Sequence, residues 1–232
     1  MDRWLGIGLY TASEAAQLLN LSVAKVRRWL GGYRVAGREY HPVWTPQLPK
    51  LDDQLGLGFL DLMQLRVGAR LVLKTDISLQ ALRKALLLIR DRKLIDHDHP
   101  LATSRFETDG RRIFLEIGRE TGEPQLYDLF RSQFAFHRVI APSFKDVDLD
   151  FEVTRWWPLG RDRTVVLDPQ RSFGAPIASE SGIPTATLAL AAKREGSPRA
   201  VTRWYGVTER EVRDAIAFEQ RLTGVPEPQM AA

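Results

Sequence analysis

The chain of 232 residues contains no cysteine. This absence excludes disulfide bonds, zinc sites built from thiolates and cysteine nucleophiles. The sequence also lacks an apolar run of 18 residues, and its N-terminus does not show the pattern of a signal peptide. We therefore expect a cytoplasmic protein that has no membrane partner.

Signatures of catalysis are also missing. Gly56 and Gly58 are not followed by the third glycine of a dinucleotide site, and no histidine has the spacing of a catalytic triad or dyad. His97 and His99 lie in the run DHDHP, which suggests a metal site, but no second cluster of ligands supports one. We predict a protein that is not an enzyme, with no catalytic residue, no metal and no cofactor.

The charged residues are dominated by arginine. The formal net charge is +4, and 26 arginines stand against 7 lysines. The guanidinium fork suits phosphate groups and guanine edges. A GC-rich genome produces the same bias, so composition alone leaves a nucleic-acid partner open.

Residues 11–30 predict two helices joined by a short turn. Thr11 and Glu14 form the capping box of the first helix, and Ser22 is the N-cap of the second. In the second helix Val26, Trp29 and Leu30 recur at three- and four-residue spacing and face inward. The cationic residues Lys25 and Arg28 lie on the opposite side, with Arg27 flanking them. Such a helix suits the major groove of DNA.

Residues 33–51 predict a hairpin that follows this helix as a wing. Three prolines exclude a helix, and Tyr33, Val35 and Tyr40 suit short strands. Arg34 and Arg38 are then placed to meet phosphate or a minor groove. The predicted DNA-binding residues are Ser22, Lys25, Arg27, Arg28, Arg34, Arg38 and Tyr40.

A pair of helices is predicted next, at 59–74 and, after the N-cap Ser78, at 79–95. Their apolar stripe fits a core or a subunit interface equally well. A homodimer is expected because one recognition helix makes few base contacts. The candidate seam is Leu79, Leu82, Leu86 and Ile89, with Leu62 and Leu65 as alternatives.

The middle region is predicted to contain β structure. Residues 105–117 alternate around Asp109-Gly110, which is typical of a type I′ hairpin. A helical or mixed segment follows at 124–134, and residues 147–159 favour extended structure.

Three helices are predicted near the C-terminus. The first begins at Pro184 or Thr185 and ends at Gly196; the second begins at Ser197-Pro198 and ends at Gly206; the third begins with a capping box, Thr208 and Glu211, and ends at Arg221 or Leu222. The charges of the third helix are balanced, which favours a protein partner over DNA. The predicted partner-binding residues are Arg199, Arg203, Trp204 and Tyr205; the alternative for the two aromatics is that they close the core.

The predicted fold class is mostly α with small β elements. It comprises a winged helix-turn-helix head with the helical pair (1–95), a mixed β/α middle region (96–159), a C-terminal trihelical domain (160–225) and a disordered tail (226–232).

Two sets of motifs resemble known families. YTASEAA, VRRW, REY and ISLQALRKAL resemble the DNA-binding half of the MerR superfamily. VVLDPQRSFGAPI, SGIPTATL and EGSPRAVTRWYGVTEREVRDAIAFE resemble a small prokaryotic antitoxin domain. Together, with HPLATSRFETDGRRIFLE between them, they resemble VapB-class antitoxins that carry a MerR-like head. The resemblance implies an antitoxin that neutralises a PIN-domain ribonuclease toxin and represses its own operon by binding operator DNA.

The resemblance also implies roles for individual residues. Arg27 matches the family arginine that holds a backbone phosphate, Lys25 and Arg28 match neighbouring positions of the recognition helix, and Arg38 and Tyr40 match the wing. The long C-terminal coiled coil of MerR activators is absent, as is any cysteine for metal sensing, so metal-responsive activation is not expected.

Two alternatives stay open. The first is a ligand-sensing MerR-like transcriptional regulator in which Trp156, Trp157 and Phe144 line a pocket. The second is an interaction module whose head no longer binds DNA.

Overall fold

A computed structural model describes residues 6–50 and 54–224, and these residues are mostly helical with small antiparallel sheets. They divide into two compact units: the N-terminal unit, Tyr10–Thr154, and the C-terminal unit, residues 6–9 and 155–224. No helix in the described part of the chain is long and apolar enough to cross a membrane. The predicted tail, 226–232, lies outside the described residues.

The N-terminal unit begins with β1 (Tyr10–Thr11) and the helices α1 (Ala12–Leu19) and α2 (Val23–Gly31). A hairpin of β2 (Tyr33–Val35) and β3 (Arg38–Tyr40) follows. β1 pairs with β4 (Gly56–Leu57). Thr11 and Glu14 form the predicted capping box, and the Ser22 hydroxyl accepts from the backbone N–H of Lys25 at 3.2 Å. Asn20 ends α1 in the left-handed region, at φ 53°. The two helices and the hairpin confirm these local predictions.

Two longer helices follow, α3 (Phe59–Lys74) and α4 (Leu79–Asp91). α3 has the predicted bounds, whereas α4 ends four residues before the predicted Ile95. The apolar stripe is the core of the unit. The predicted dimer seam is wrong on this face, because all but one of its candidate residues are buried within the chain: Leu82, Leu86, Ile89, Leu62 and Leu65.

The predicted hairpin at Asp109-Gly110 is wrong, because this segment belongs to α5 (Ser104–Thr121). Thr103 caps the helix, and its buried residues recur at helical spacing: Phe106, Gly110, Ile113, Phe114, Ile117 and Gly118. Burial of this face outweighs the local turn preference of Asp-Gly. Two further helices, α6 (Pro124–Arg131) and α7 (Gln133–Phe144), close an aromatic core in which the rings of Phe114 and Phe130 lie 4.7 Å apart.

A single buried carboxylate joins three segments of the N-terminal unit. Asp61, on the first turn of α3, accepts hydrogen bonds from Trp44 Nε1–H at 3.0 Å, from the backbone N–H of Gln47 at 2.8 Å and from that of Gly58 at 2.9 Å. His99 Nε2 completes the set at 2.8 Å. This carboxylate therefore links α3 to the chain after the hairpin and to the segment after α4. The predicted domain boundary at residues 95 and 96 lies inside this compact unit.

Four short strands follow α7: β5 (Val147–Leu149), β6 (Val153–Trp156), β7 (Val165–Leu167) and β8 (Pro176–Ala178). β5 is the hydrogen-bonded neighbour of β6. In the C-terminal unit β7 pairs antiparallel with both β6 and β8, with Trp156 opposite Leu167 and Val166 opposite Ile177. The extended structure predicted for residues 147–159 is thus two strands with a turn between them.

Three helices complete the C-terminal unit: α8 (Thr185–Glu195), α9 (Pro198–Tyr205) and α10 (Glu209–Thr223). Gly196 and Gly206 end α8 and α9 at φ 75° and 65°, a backbone region that favours glycine. The three helices agree with the predicted ones within two residues at each end. Their shared core is built from Leu188, Val201, Val212 and Ala215.

Asp61→Ala should lower the free energy of unfolding by about 3–5 kcal/mol, because each buried donor left without an acceptor costs about 1–3 kcal/mol. Urea denaturation measures this change. Asp91→Ala is the matched control, since Asp91 forms an exposed pair with Arg90 at 2.9 Å and such pairs contribute about 0–1 kcal/mol. Equal effects of the two substitutions would contradict the structural role of Asp61.

Candidate functional site

The outer face of α2 is cationic and open to solvent. Arg27 and Arg28 are exposed, as is the N-cap Ser22, and Lys25 is half-buried. The opposite face is buried and consists of Val26, Trp29 and Leu30. The structure therefore brings the four predicted α2 residues to the solvent side of the helix and confirms Trp29 as a core anchor.

Arg28 is held by a stack of aromatic rings from the hairpin. Its guanidinium carbon lies 4.6 Å from the centroid of the Tyr33 ring. The Tyr33 ring stacks on that of Tyr40, with centroids 4.6 Å apart and planes 7° from parallel. Cation–π contact of this kind contributes about 0.5–1 kcal/mol at exposed sites. The stack joins α2 to the hairpin and orients Arg28.

Sequence reasoning named Arg28 and Tyr40 but missed the role of Tyr33. The signal was available in the hairpin register, which places Tyr33 directly opposite Tyr40. Aromatic residues at opposite positions of antiparallel strands stabilise each other. Arg28, five residues before Tyr33, then reaches the ring from the last turn of α2.

The hairpin arginines have different surroundings. Arg34 pairs with Glu39 at 3.4 Å, and both side chains are more than half exposed. A pair of this kind contributes about 0–1 kcal/mol, so Arg34 can exchange Glu39 for a phosphate at little cost. Arg38 belongs to β3, and the structure describes its backbone only.

Arg27 and Lys50 line one cavity of about 590 Å³ beside the start of α1. Thr11, Ala12 and Ser13 form another part of its wall. Lys50 was not singled out from the sequence, because it lies 23 residues from Arg27 in a segment rich in proline. Two cations on one open cavity create a local positive potential that favours an anion.

The two histidines of the DHDHP run hold the backbone in place. His99 donates to Asp61, as described above. The backbone N–H of His99 donates to His97 Nδ1 at 2.9 Å, which places the His97 proton on Nε2, 2.8 Å from Glu152 Oε2. Within the described residues no group of three potential ligands is arranged for a metal ion.

All four predicted partner-binding residues of α9 are exposed. Trp204 is 77% exposed and Tyr205 is 43% exposed. The alternative in which these aromatics close the core is therefore wrong, because Val201 fills that position and is fully buried. Arg199 and Arg203, one helical turn apart, share one stripe of α9.

Two of the aromatics considered for a ligand pocket pack within their own units. Phe144 is buried, and its ring lies 6.4 Å from that of Phe106 in the aromatic core. Trp156 is buried in β6 of the C-terminal unit. These positions give no support to a sensing pocket built on Phe144 and Trp156.

Buried carboxylates hold α10 in the C-terminal unit. Glu211 accepts from the backbone N–H of Thr208 at 3.0 Å and of Ser181 at 2.9 Å. Asp214 accepts from the backbone N–H of Thr164 at 2.8 Å. Burial acts to raise the pKa of Glu211, but hydrogen bonds from Thr208 and Ser181 outweigh it and hold the pKa below the ordinary value.

No protein-family model matches the chain. The chain is 25% identical over 229 residues to a protein of Mycobacterium tuberculosis (strain ATCC 25618 / H37Rv) named "Putative antitoxin VapB45", and the match covers 90% of this chain and 93% of that protein. The crystal structure of Rv2018 from Mycobacterium tuberculosis is similar with a TM-score of 0.69 at 22% identity, covering 91% of this chain and 98% of that one. This second likeness shows a shared fold.

Glu211→Gln should lower the free energy of unfolding by about 1–2 kcal/mol near neutral pH, because the amide replaces a carboxylate that accepts several hydrogen bonds. The pKa of Glu211 is lowered in the folded state, so its stabilisation is present above the ordinary glutamate pKa and is lost as pH falls through the lowered value. The difference between variant and wild type should therefore shrink in acid.

Urea denaturation at several pH values measures this difference. Glu209→Gln is the matched control on the same helix, because Glu209 forms an exposed pair with Arg213. A difference between Glu211→Gln and wild type that stays constant down to pH 3 would show that the Glu211 carboxylate has no special role.

Proposed function

We propose that this protein is the antitoxin of a type II toxin–antitoxin system, which binds operator DNA through its head and neutralises a PIN-domain ribonuclease through its C-terminal unit. The observation that carries the DNA-binding part is the exposed cationic face of α2, braced by the Arg28–Tyr33–Tyr40 stack. The similarity to a protein named as an antitoxin supports the class, and the resemblance of the motifs supports the identity of the toxin.

The head acts as a MerR-like winged helix-turn-helix in this proposal. α2 enters the major groove, where Ser22, Lys25 and Arg28 reach base edges. Phosphates are held by Arg27, by Lys50 on the same cavity, and by Arg34 and Arg38 of the hairpin. Tyr40 supports Arg28 through the stack. A homodimer presents two such faces to half-sites separated by one or two turns of about 34 Å, and binding there represses the operon.

The toxin contact is assigned to α9. PIN-domain ribonucleases are expected to carry carboxylates that hold catalytic metal ions, and arginine pairs with carboxylates through charge-assisted, bidentate hydrogen bonds. Arg199 and Arg203 are exposed and lie on one stripe, and Trp204 and Tyr205 are exposed elsewhere on the same helix. Arginine, tryptophan and tyrosine are the residues most enriched at the energetic centres of protein interfaces. This stripe would cover the acidic site and block RNA cleavage.

Arg27→Ala should weaken binding to every duplex about equally and reduce the slope of log K against log salt by about one, because it removes one phosphate contact. Arg28→Ala should also reduce the difference in binding free energy between the DNA upstream of the protein's own gene and an unrelated duplex of the same length, by about 1–3 kcal/mol. Fluorescence anisotropy over a salt series measures both changes.

Arg112→Ala is the control for charge, since Arg112 is an exposed arginine on α5 of the same unit. It should leave the salt slope and the sequence preference as in the wild type. Wild-type affinity in both the Arg27 and the Arg28 variant at moderate salt would rule out α2 as the DNA-reading helix.

Arg199→Glu combined with Arg203→Glu should abolish protection of cells from the ribonuclease encoded beside the gene, because both charges that face the acidic site are reversed. Growth on co-expression with the full-length variant measures protection. Arg213→Glu, an exposed arginine on α10, should still protect. Full protection by the double variant would show that the α9 arginines do not contact the toxin. If the protein encoded beside the gene neither binds this chain nor harms cells, the antitoxin function itself is contradicted.

A further inference from the structure

The residues of α9 do not form one surface. Arg199 and Arg203, four positions apart, lie on the side of the helix away from the buried Val201. Trp204 and Tyr205 lie three and four positions after Val201 and so flank its side of the helix. The aromatic pair therefore faces α8, whereas the arginine stripe faces away from it.

Trp204 and Tyr205 line a groove between α8 and α9, which we call the α8–α9 groove. Its volume is about 490 Å³, and its wall includes Leu190, Ala191, Arg194, Val201, Trp204 and Tyr205. Leu190 is half exposed and Val201 forms a buried floor. Exposed apolar side chains that are grouped around one groove, rather than scattered singly, are typical of a surface that binds a partner.

The surroundings of the groove are cationic. Arg194 lines the groove at the end of α8 and Lys193 lies next to it in the sequence, whereas Arg199 and Arg203 lie on the other side of α9. All four are exposed, and within the described residues none of them has a carboxylate within ion-pair distance. Glu195 is the one acidic residue among those that line the groove. Ion pairs of this unit lie elsewhere, at Arg155–Asp168, Arg163–Asp214 and Glu209–Arg213. Such a surface fits an apolar segment that carries acidic side chains.

We propose that the α8–α9 groove holds an amphipathic, acidic segment of the toxin, whose apolar side chains fill the space between Leu190 and Trp204 while a carboxylate pairs with Arg194. This inference rests on the proposed antitoxin function and adds a second contact to it. The groove anchors the toxin by burial of apolar surface, and the arginine stripe on the other side of α9 reaches the nuclease site. Leu190 and Arg194, both on α8, become toxin-binding residues.

The test measures the affinity of the full-length protein for the purified toxin by calorimetry. Trp204→Ala should weaken binding about 30-fold, which corresponds to about 2 kcal/mol. Leu190→Ala and Arg194→Glu should each weaken it about tenfold, and the effect of Arg194→Glu should diminish with added salt. Phe173→Ala is the matched control, because Phe173 is a 65% exposed aromatic of the same unit that lies outside the groove; it should bind as the wild type does.

Trp204→Ala with an affinity equal to that of Phe173→Ala would overturn the inference and leave the antitoxin function standing. A wild type that does not bind the toxin would overturn both. Thermal melts of each variant separate loss of folding from loss of contact, and Arg194→Glu provides a second readout at an exposed position.

Two further measurements test other occupants of the groove. In a chain that ends at Gly224, Trp204→Ala should weaken toxin binding as much as it does in the full-length chain. If the substitution no longer changes the affinity of the shortened chain, residues 225–232 are the occupant and the proposal is overturned. Light scattering should show the same mass for Trp204→Ala and the wild type, whereas a change of mass would assign the groove to a second copy of the chain.

Discussion

The geometry of the N-terminal unit depends on the buried carboxylate of Asp61. A buried polar group of this kind is tolerated only when its hydrogen bonds are complete. Here one oxygen accepts from Trp44 and His99 and the other from the backbone of Gln47 and Gly58. Two segments distant in sequence, at residues 44–47 and at His99, must therefore converge on the first turn of α3. One of them is the chain that leaves the hairpin, so the same carboxylate that completes the core also holds the chain after the hairpin in place.

The head is built on that base by interactions that are individually small. The capping box of α1, the Ser22 cap of α2 and the stack of Tyr33 on Tyr40 each contribute about 1 kcal/mol or less. Together with the burial of Trp29 they leave α2 few alternative orientations. A pre-oriented helix would lose less conformational entropy in the proposed contact with DNA, and the contact between Arg28 and Tyr33 reduces the rotamer freedom of the side chain proposed to read bases.

The C-terminal unit separates its structural charges from its exposed ones. Asp168, Glu211 and Asp214 are buried and satisfied by neighbouring donors, and they tie loops to strands and to α10. The cations around α9 have no such partners within the described residues and lie beside open aromatic rings. A rigid interior with an unsatisfied, cationic and aromatic rim is the arrangement that protein recognition uses.

Local signals in the sequence determined where five of the helices begin, because an N-cap and its partner lie three residues apart and need nothing else. Thr11 with Glu14, Ser22, Ser78, Ser197 and Thr208 with Glu211 all cap the helices that the sequence predicts. The inward face of α2 and the hairpin after it were also available from spacing alone. Tertiary structure decided the rest: α5 overrides the turn preference of Asp109-Gly110 because Phe106, Phe114 and Ile117 are buried together only in a helix. The burial of Asp61, the exposure of Trp204 and the conversion of the expected dimer seam into core followed from contacts between distant segments, which no local pattern of residues encodes.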